Sequence, residues 1–460
     1  MLGWAASGGM ALTGYADGVP LESPAASFGL LGLAVRQLAE ATSAVGLPVG
    51  ADPAELVAGR AALAGFSRRG RMSAGGSARL LRAADGWCAV NLSRADDVAA
   101  VPAVLGALGL KAAGLDGRAA ETDGVMVDGV WEALEAAAGE TGAEALADAA
   151  QLLGVPAAAL PPPSGSGSVS ELASGGLASG GLASAGRVSR IAGRSPGPRL
   201  AAAVVVDLSS MWAGPLCARL LGLAGAQVIK VESADRADGA RTGDRRFFDW
   251  LHAGHRSVAV DFRTAPGRAA LTALLETADV VIEASRPRAL AALGLAPEAI
   301  AHRDGQVWLS ITGYGRAEAD RDRVAFGDDA AVAGGLVGWT GGGGGGCGGG
   351  GCGGGGEPVF CADAIADPLT GLCGALAVAR SVAVGGGELI DLPMRAVAAA
   401  FAAAPAVDHG PHEVAADGTV RCARLGLEQA VLPPRAPAVD GPAAELGADT
   451  GAVLDWLAAC

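Results

Sequence analysis

Asp367 stands directly before Pro368 and the apolar run LTGLCGALAVARSV (369–382). Aspartate ahead of proline at the start of a helical run is a favoured N-cap arrangement, and the residues alone favour that role. A carboxylate has a second property, because it is ionised at neutral pH and can attack an electrophile without the partner base that serine or an ordinary cysteine needs. Two other groupings invite chemistry and then fall short of it. Cys347, Cys352 and Cys361 lie close together, but no C-x-x-C pair or histidine accompanies them. A glycine tract also loses the most entropy when it must organise ligands, so no metal is expected there. Glu232 closes a strand, helix, strand unit, as the ribose ligand of a nicotinamide-binding domain would. The turn SSMWAGP nevertheless lacks the G-x-G-x-x-G glycines that let backbone approach a pyrophosphate.

These residues need a frame, and the hydropathy pattern supplies one. AAAVVVDL (201–208), QVIKVE (227–232), SVAVDF (257–262), DVVIEA (279–284) and QVWLSITGYG (306–315) are short apolar runs. Helix-like stretches such as LCARLLGLAGA, GRAALTALLETA and RALAALGL separate them. That rhythm predicts a doubly wound, Rossmann-like α/β domain with a parallel sheet and right-handed crossovers, extended by the helix at 369–382 and the strand GELIDLP (387–393). Residues 1–160 predict a smaller α+β unit. Its helices fall near 28–45, 52–65, 96–105 and 130–153, with a Gly/Ser loop at 73–77 and a strand at 85–92. A Ser/Gly/Pro tract at 161–198 joins it to the large domain at 199–460, and a second glycine tract at 341–356 predicts a loop. A weak internal repeat sets GGMALTG (8–14) on GGLVGWTG (334–341) and FGLLGLAVRQL (28–38) on TGLCGALAVARS (370–381). It puts Ala25 where the second copy has Asp367.

Composition narrows the partners. A formal net charge of −14 argues against nucleic acid, which needs a basic face. The first residues lack the basic region and unbroken apolar core of a signal peptide, and no apolar run is long enough for a membrane helix. The 8 cysteines are sparse and mostly isolated, as reduced buried thiols are, so the expected compartment is the cytoplasm.

Successive blocks of the second half resemble the class III CoA-transferases, the CaiB/BaiF family. They are VVVDLSSMWAGPLCARLLGLAGAQVIKVE, HAGHRSVAVDFRTAPGRAAL, ADVVIEASRPRALAALGL, LSITGYG and PVFCADAIADPLTGLCGALA, in the family's order over about 190 residues. The last resembles the segment that carries the nucleophilic aspartate four positions before a glycine, so the resemblance gives Asp367 that role. It also places Met211, Trp212 and Ala213 against CoA. The text SAGGSARLLRAADGWCAVNLSRADDVAAVPAVLG (73–106) resembles the family's small domain, here ahead of the large one. Its Ala74, Gly75, Gly76 and Ser77 then stand where the family keeps a glycine loop over the nucleophile, and 433–457 resembles the return segment.

The implied reaction is CoA transfer between carboxylic acids through an aspartyl-acyl anhydride, with CoA and acyl-CoA as substrates and no resident cofactor. An anhydride hydrolyses readily, so the site must be dry, and a glycine loop can approach closely and offer N–H groups to an oxyanion. CoA carries phosphates, for which Arg241, Arg245, Arg246, His255, Arg256, Arg286 and Arg288 form a basic set, although each alone reads as a surface charge. Tyr314 of the LSITGYG block joins the implied CoA contacts. Two positions depart from the family: Ser233 replaces an arginine and His255 a lysine. Related α-methylacyl-CoA racemases use a Gly-His-Asp motif. Here Gly327, Asp328 and Asp329 lack its imidazole, which weakens the racemase alternative. A pseudoenzyme or partner subunit is the other alternative, and the family implies a homodimer.

Overall fold

The computed structural model describes residues 1–23, 26–111, 125–162, 186–195, 200–341, 356–404, 412–415 and 418–459. Ala25, most of the 161–198 tract, and Cys347 and Cys352 with most of the 341–356 tract lie outside the described residues.

Helices α1 (Leu2–Ala6), α2 (Ser27–Val45) and α3 (Pro53–Ala64) come first. Strands β1 (Ala78–Arg82) and β2 (Trp87–Asn91), helices α4 (Ala95–Ala107), α5 (Val125–Glu140) and α6 (Ala143–Leu152), and strand β3 (Ala157–Ala159) follow. Strand β4 (Arg187–Arg190) leads into β5 (Val204–Asp207), α7 (Ala213–Leu223), β6 (Gln227–Ser233), α8 (Arg245–His252) and β7 (Arg256–Val260). Next come α9 (Ala265–Thr277), β8 (Val280–Glu283), α10 (Pro287–Ala292), β9 (Val307–Thr312) and α11 (Gly327–Ala333). The short pair β10 (Gly338–Trp339) and β11 (Pro358–Val359) precedes α12 (Ala366–Ala383), β12 (Glu388–Pro393) and α13 (Met394–Ala402). A small meander of β13 (His412–Val414), β14 (Thr419–Cys422) and β15 (Leu427–Ala430), then α14 (Thr450–Ala459), complete the described chain.

The large sheet has 7 strands in the order β4-β12-β9-β8-β5-β6-β7. All of its pairings are parallel except that of β4 with β12. Strand alternation explains how two helical layers are held. Val205, Val280, Ile282, Leu309 and Ile311 enter the core shared with α2, α7 and α12. Val206, Val281 and Trp308 point the other way, into the core that α9 and α14 cover. The doubly wound sheet expected from sequence is therefore present, with β5 to β9 on the predicted runs.

The N-terminal 160 residues divide where the sequence shows no break. Helices α1, α2 and α3 contribute Trp4, Leu31, Leu38, Leu56 and Val57 to the same core as α12 and the large sheet, not to a separate unit. The cause is α12, which is buried over most of its length and must be covered on the side away from the sheet as well. Only the β1–β2–β3 sheet and α4 to α6 form a core of their own, around Leu81, Val90, Trp131, Leu134 and Leu146. The opposite face of that small sheet packs Leu80, Trp87 and Ala89 onto Val332, Val337 and Phe360 of the large unit. Within the expected 161–198 tract, Arg187–Arg190 adds β4 to the free edge of β12, whose backbone groups would otherwise lack partners. At the far edge, Ser257 N–H donates to Asp449 Oδ2 at 2.8 Å and Ala259 N–H to Thr450 Oγ1 at 3.0 Å, so the return segment closes β7. No helix among the described residues is long and apolar enough to cross a membrane.

Glycines bring α12 and α7 together. A Cβ on Gly371 would lie 2.6 Å from the Ala213 carbonyl oxygen and 2.9 Å from Leu216 Cβ. Gly371→Ala should gain up to about 1 kcal/mol in helix propensity. Overpacking should cost about 1–3 kcal/mol and dominate, because the contact is backbone and cannot yield. A lower urea midpoint for Gly371→Ala is the expected result; an unchanged or higher one would show that the helices have slack.

Candidate active site

Helix α12 starts from a strained turn. Ala362 and Ala364 have φ of 56° and 41°, left-handed values that cost a residue with a Cβ about 1–2 kcal/mol each. Three elements hold that turn in place. Ala362 N–H donates to Thr13 Oγ1 at 3.0 Å, and Ala364 N–H donates to Asp328 Oδ1 at 3.1 Å. Between them, the carboxylate of Asp363 accepts from Arg60 Nε and Nη2, each at 2.8 Å.

Asp367 is the second residue of α12, with its N–H bonded to the Ala364 carbonyl at 2.9 Å. It is not the N-cap that the Asp-Pro pair suggested. Ile365 takes that place without a side-chain cap, because the turn itself begins the helix. The carboxylate is thereby free to face other elements. Its Oδ2 accepts from the N–H of Gly327, the first residue of α11, at 3.1 Å. It also accepts from the backbone of Ala213, the first residue of α7. Position 327 must be glycine, since a Cβ there would fall 2.3 Å from both Asp367 Oδ2 and the Ala364 oxygen. Ahead of Ala213, Met211 adopts φ 72°, and its N–H is held by Asp238 Oδ1 at 3.0 Å. Asp238 is fixed in turn by buried Lys230 at 3.0 Å.

Arg60 comes from α3 and lies under three rings, 5.1 Å from Trp212, 5.5 Å from Phe66 and 5.8 Å from Phe247. The predicted glycine loop runs against it: a Cβ on Gly75 would sit 3.4 Å from Arg60 Nη2 and 3.6 Å from Phe66 Cε2. Ser73 shapes the loop by accepting from Gly76 N–H at 2.9 Å and, through Oγ, from Ala78 N–H at 3.1 Å. Gly76 has φ +85°, which suits glycine. Ala74 is buried, Gly75 is exposed, and Gly76 and Ser77 lie between.

Burial raises Asp367 to about 7, against the pull of Arg60 and the two amides and with a further push from Asp363. The carboxylate expected to be ionised at neutral pH is therefore held toward its protonated form by its surroundings. Asp328 is also raised to about 7 by burial and by Asp363. Asp329 is raised to about 8 by burial, although it accepts from Phe326 N–H at 3.0 Å and Asn91 Nδ2 at 3.2 Å. A single guanidinium thus faces Asp363, Asp328 and Asp367.

This arrangement lies inside a recognisable sequence span. The model of CoA-transferase family III matches residues 200–435, just over half of the chain. The chain belongs to CoA-transferase family III. Among curated members it is 33% identical over 156 residues to succinyl-CoA–D-citramalate CoA-transferase of Chloroflexus aurantiacus, covering 32% of this chain and 39% of that one. It is 30% identical over 226 residues to succinate–glutarate CoA-transferase of Agrobacterium fabrum, covering 45% and 53%. A solved CaiB/BaiF family protein from Brucella suis is 29% identical with a TM-score of 0.37, covering 44% of this chain and 55% of that one. The family III chain spans about half, or less, of the length of these relatives.

Other residues expected to serve CoA in this family III chain scatter more than the sequence suggested. Met211, Trp212 and Ala213 adjoin Asp367 through the Ala213 amide. Arg286 follows the C-terminal end of β8, and its neighbours are the like charges of Arg288, Arg94 and Arg236, opposed by Asp322. No hydrogen bond or ion pair engages its guanidinium among the described residues. Arg245 is bound to Asp249 and Glu445 at 2.8 Å and 3.0 Å, Arg246 to Asp244 at 2.7 Å, and Arg241 to Glu232 at 2.6 Å. Tyr314 is buried and donates to the Ala157 carbonyl at 3.1 Å, joining β9 to the small sheet instead of facing a cleft. His255 and Arg256 are not brought to Asp367. They line a pocket of about 440 Å³ with Arg219, Gly222, Val228 and Asp440, at the other end of α7. Eleven helical residues separate the two ends, about 16 Å. Burial also lowers His255 to about 3, leaving its imidazole neutral.

Asp328 and Asp329 make stability fall with pH. Their folded values lie above the ordinary 3.8, so their contribution is full below about 4 and is lost as the pH rises through about 7 and about 8. Thermal unfolding of Asp329→Asn should therefore show a smaller drop in Tm between about pH 5 and about pH 9 than the parent. Equal slopes in the two proteins would place the titrating groups elsewhere.

Proposed function

We propose that this chain transfers CoA between carboxylic acids, with Asp367 as the nucleophile. The supporting observation is a partly exposed carboxylate that serves no cap and faces two helix-starting amides, Gly327 and Ala213, where the glycine loop and the large unit meet. In the first step an Asp367 oxygen bonds to the acyl carbon while the carbon–sulfur bond breaks. CoA leaves as thiolate and an aspartyl-acyl anhydride remains. No proton has to move, because the attacker is a carboxylate and the leaving group a stable anion. Exchange of the donor acid for an acceptor carboxylate, and return of the thiolate, restores Asp367 and yields the new thioester.

The surroundings suit an intermediate that water would destroy. Gly75 and Gly76 offer backbone without side chains, and Trp212, Phe66 and Phe247 form an apolar wall behind Arg60. On this proposal residues 73–106 supply the covering loop, so the small domain precedes the large one in the chain. Arg286, with Arg94, Arg236 and Arg288 around it, is the group best placed for CoA phosphate, because no ion pair engages it among the described residues. Succinyl-CoA is the first donor to try, since relatives from Chloroflexus aurantiacus are named for it.

The test pairs a panel of acyl-CoA donors and acid acceptors with hydroxylamine or borohydride trapping. Wild-type protein should exchange CoA and carry a trapped adduct on residue 367. Asp367→Asn should lower turnover by about a thousandfold or more and abolish the adduct. Undiminished turnover in that variant would refute the assignment, and α-proton exchange without CoA transfer would favour an isomerase.

A further inference from the structure

We propose that Arg60, which lies outside the span matched by the family, is a positioning residue for Asp367; this inference rests on the function proposed above. Its geometry is that of a clamp. Both fork nitrogens are committed to Asp363, whose side chain is fully buried, and the guanidinium is wedged under three aromatic rings. Asp363 lies between the two left-handed alanines, so the clamp fixes the backbone from which α12, and with it Asp367, departs. Lysine offers a point charge in place of a planar fork and could not hold both carboxylate oxygens in this way.

The same side chain sets the charge balance. The groups facing Asp367 are Asp363 from the turn, Asp328 from α11, the amides of Gly327 and Ala213, and Arg60. Asp363 and Asp328 oppose ionisation of Asp367. Arg60 is the side-chain cation that favours it, and it arrives from α3, an element of the N-terminal region. A Cβ on Gly75 would stand 3.4 Å from Arg60 Nη2, the nitrogen that also donates to Asp363, so one residue joins the glycine loop, the strained turn and the nucleophile. With Arg60 in place the carboxylate can be anionic at neutral pH; without it three crowded carboxyl groups would have to share protons.

Two substitutions should move the Asp367 carboxyl in opposite directions. Its titration can be isolated by infrared difference between each protein and the same protein carrying Asp367→Asn. Arg60→Gln should raise the titration by about one unit or more, because an opposite charge has been removed. Asp363→Asn should lower it, because a like charge has been removed while the cation stays. In CoA exchange, the acid limb of the rate against pH should follow each shift, and Arg60→Lys should fall between wild type and Arg60→Gln. A titration that stays put in both Arg60→Gln and Asp363→Asn would overturn the inference, as would a uniform loss of rate with no shift of the acid limb. Should Arg60→Gln fail to fold, Asp363→Asn still decides by its sign. If wild-type protein exchanges no CoA while the carboxyl titrations shift as expected, the positioning role stands and the CoA-transfer assignment fails.

Discussion

One guanidinium is surrounded by more negative charge than it can neutralise, and the architecture around Asp367 follows from that imbalance. Asp363 is fully buried, and Arg60 keeps 21% of its side chain exposed. Breaking such a pair by removing one partner costs about 3–5 kcal/mol, because the other charge is stranded. The pair is not a bargain in stability, since apolar residues of similar volume often do as well. What it provides is direction. A bidentate fork fixes the plane of the Asp363 carboxylate, and the rings of Trp212, Phe66 and Phe247 fix the plane of the fork. Asp328 and Asp329 then have little cation left to them, and protonation is their remaining route to a tolerable burial.

Close approach of backbone allows those charges to meet. Gly371 lets α12 settle onto α7, which brings the Ala213 amide to Asp367, and Gly327 lets α11 deliver a second amide. Each amide donates to the carboxylate without adding a side chain beside it. Helix ends reached through glycine are thus used here in place of further arginines. Two amide donors engage the carboxylate less fully than a second bidentate arginine, which would hold both of its oxygens.

Much of this frame was legible in the sequence, because period-2 apolar runs alternating with helical stretches specify a parallel sheet through local physics. The sequence also singled out both Asp367 and the glycine loop, which meet the same Arg60 guanidinium. Three things were not legible there. The first three helices carry ordinary amphipathic patterns, and nothing in them says which core they join; the demand comes from α12, some 300 residues later, whose outer side needs cover. The strand at Arg187–Arg190 is too short and polar to announce itself and forms because β12 has a free edge. Arg60 sits in LVAGRAALAG, where an arginine set in a small apolar helix signals only that some buried acid awaits it, not which one.

The basic cluster shows why adjacency in sequence is a poor guide to a phosphate site. Arg241, Arg245 and Arg246 are close in number to His255 and Arg256, yet a parallel sheet sends the two ends of each strand to opposite sides of the molecule. Residues that begin β7 line the pocket at the C-terminal end of α7, while Ala213, which follows β5, adjoins Asp367. A ligand served by the ends of several parallel strands gathers groups far apart in the chain, at the carboxyl ends where the crossovers leave a crevice. Arg286 meets that condition and His255 does not. Charge that is already neutralised is also no guide, since an arginine bound to its own acid has to give up that bond before it can hold a phosphate. A cation at a strand C-terminus that no acid engages among the described residues is therefore a better guide to an anion site than a cationic cluster along the sequence.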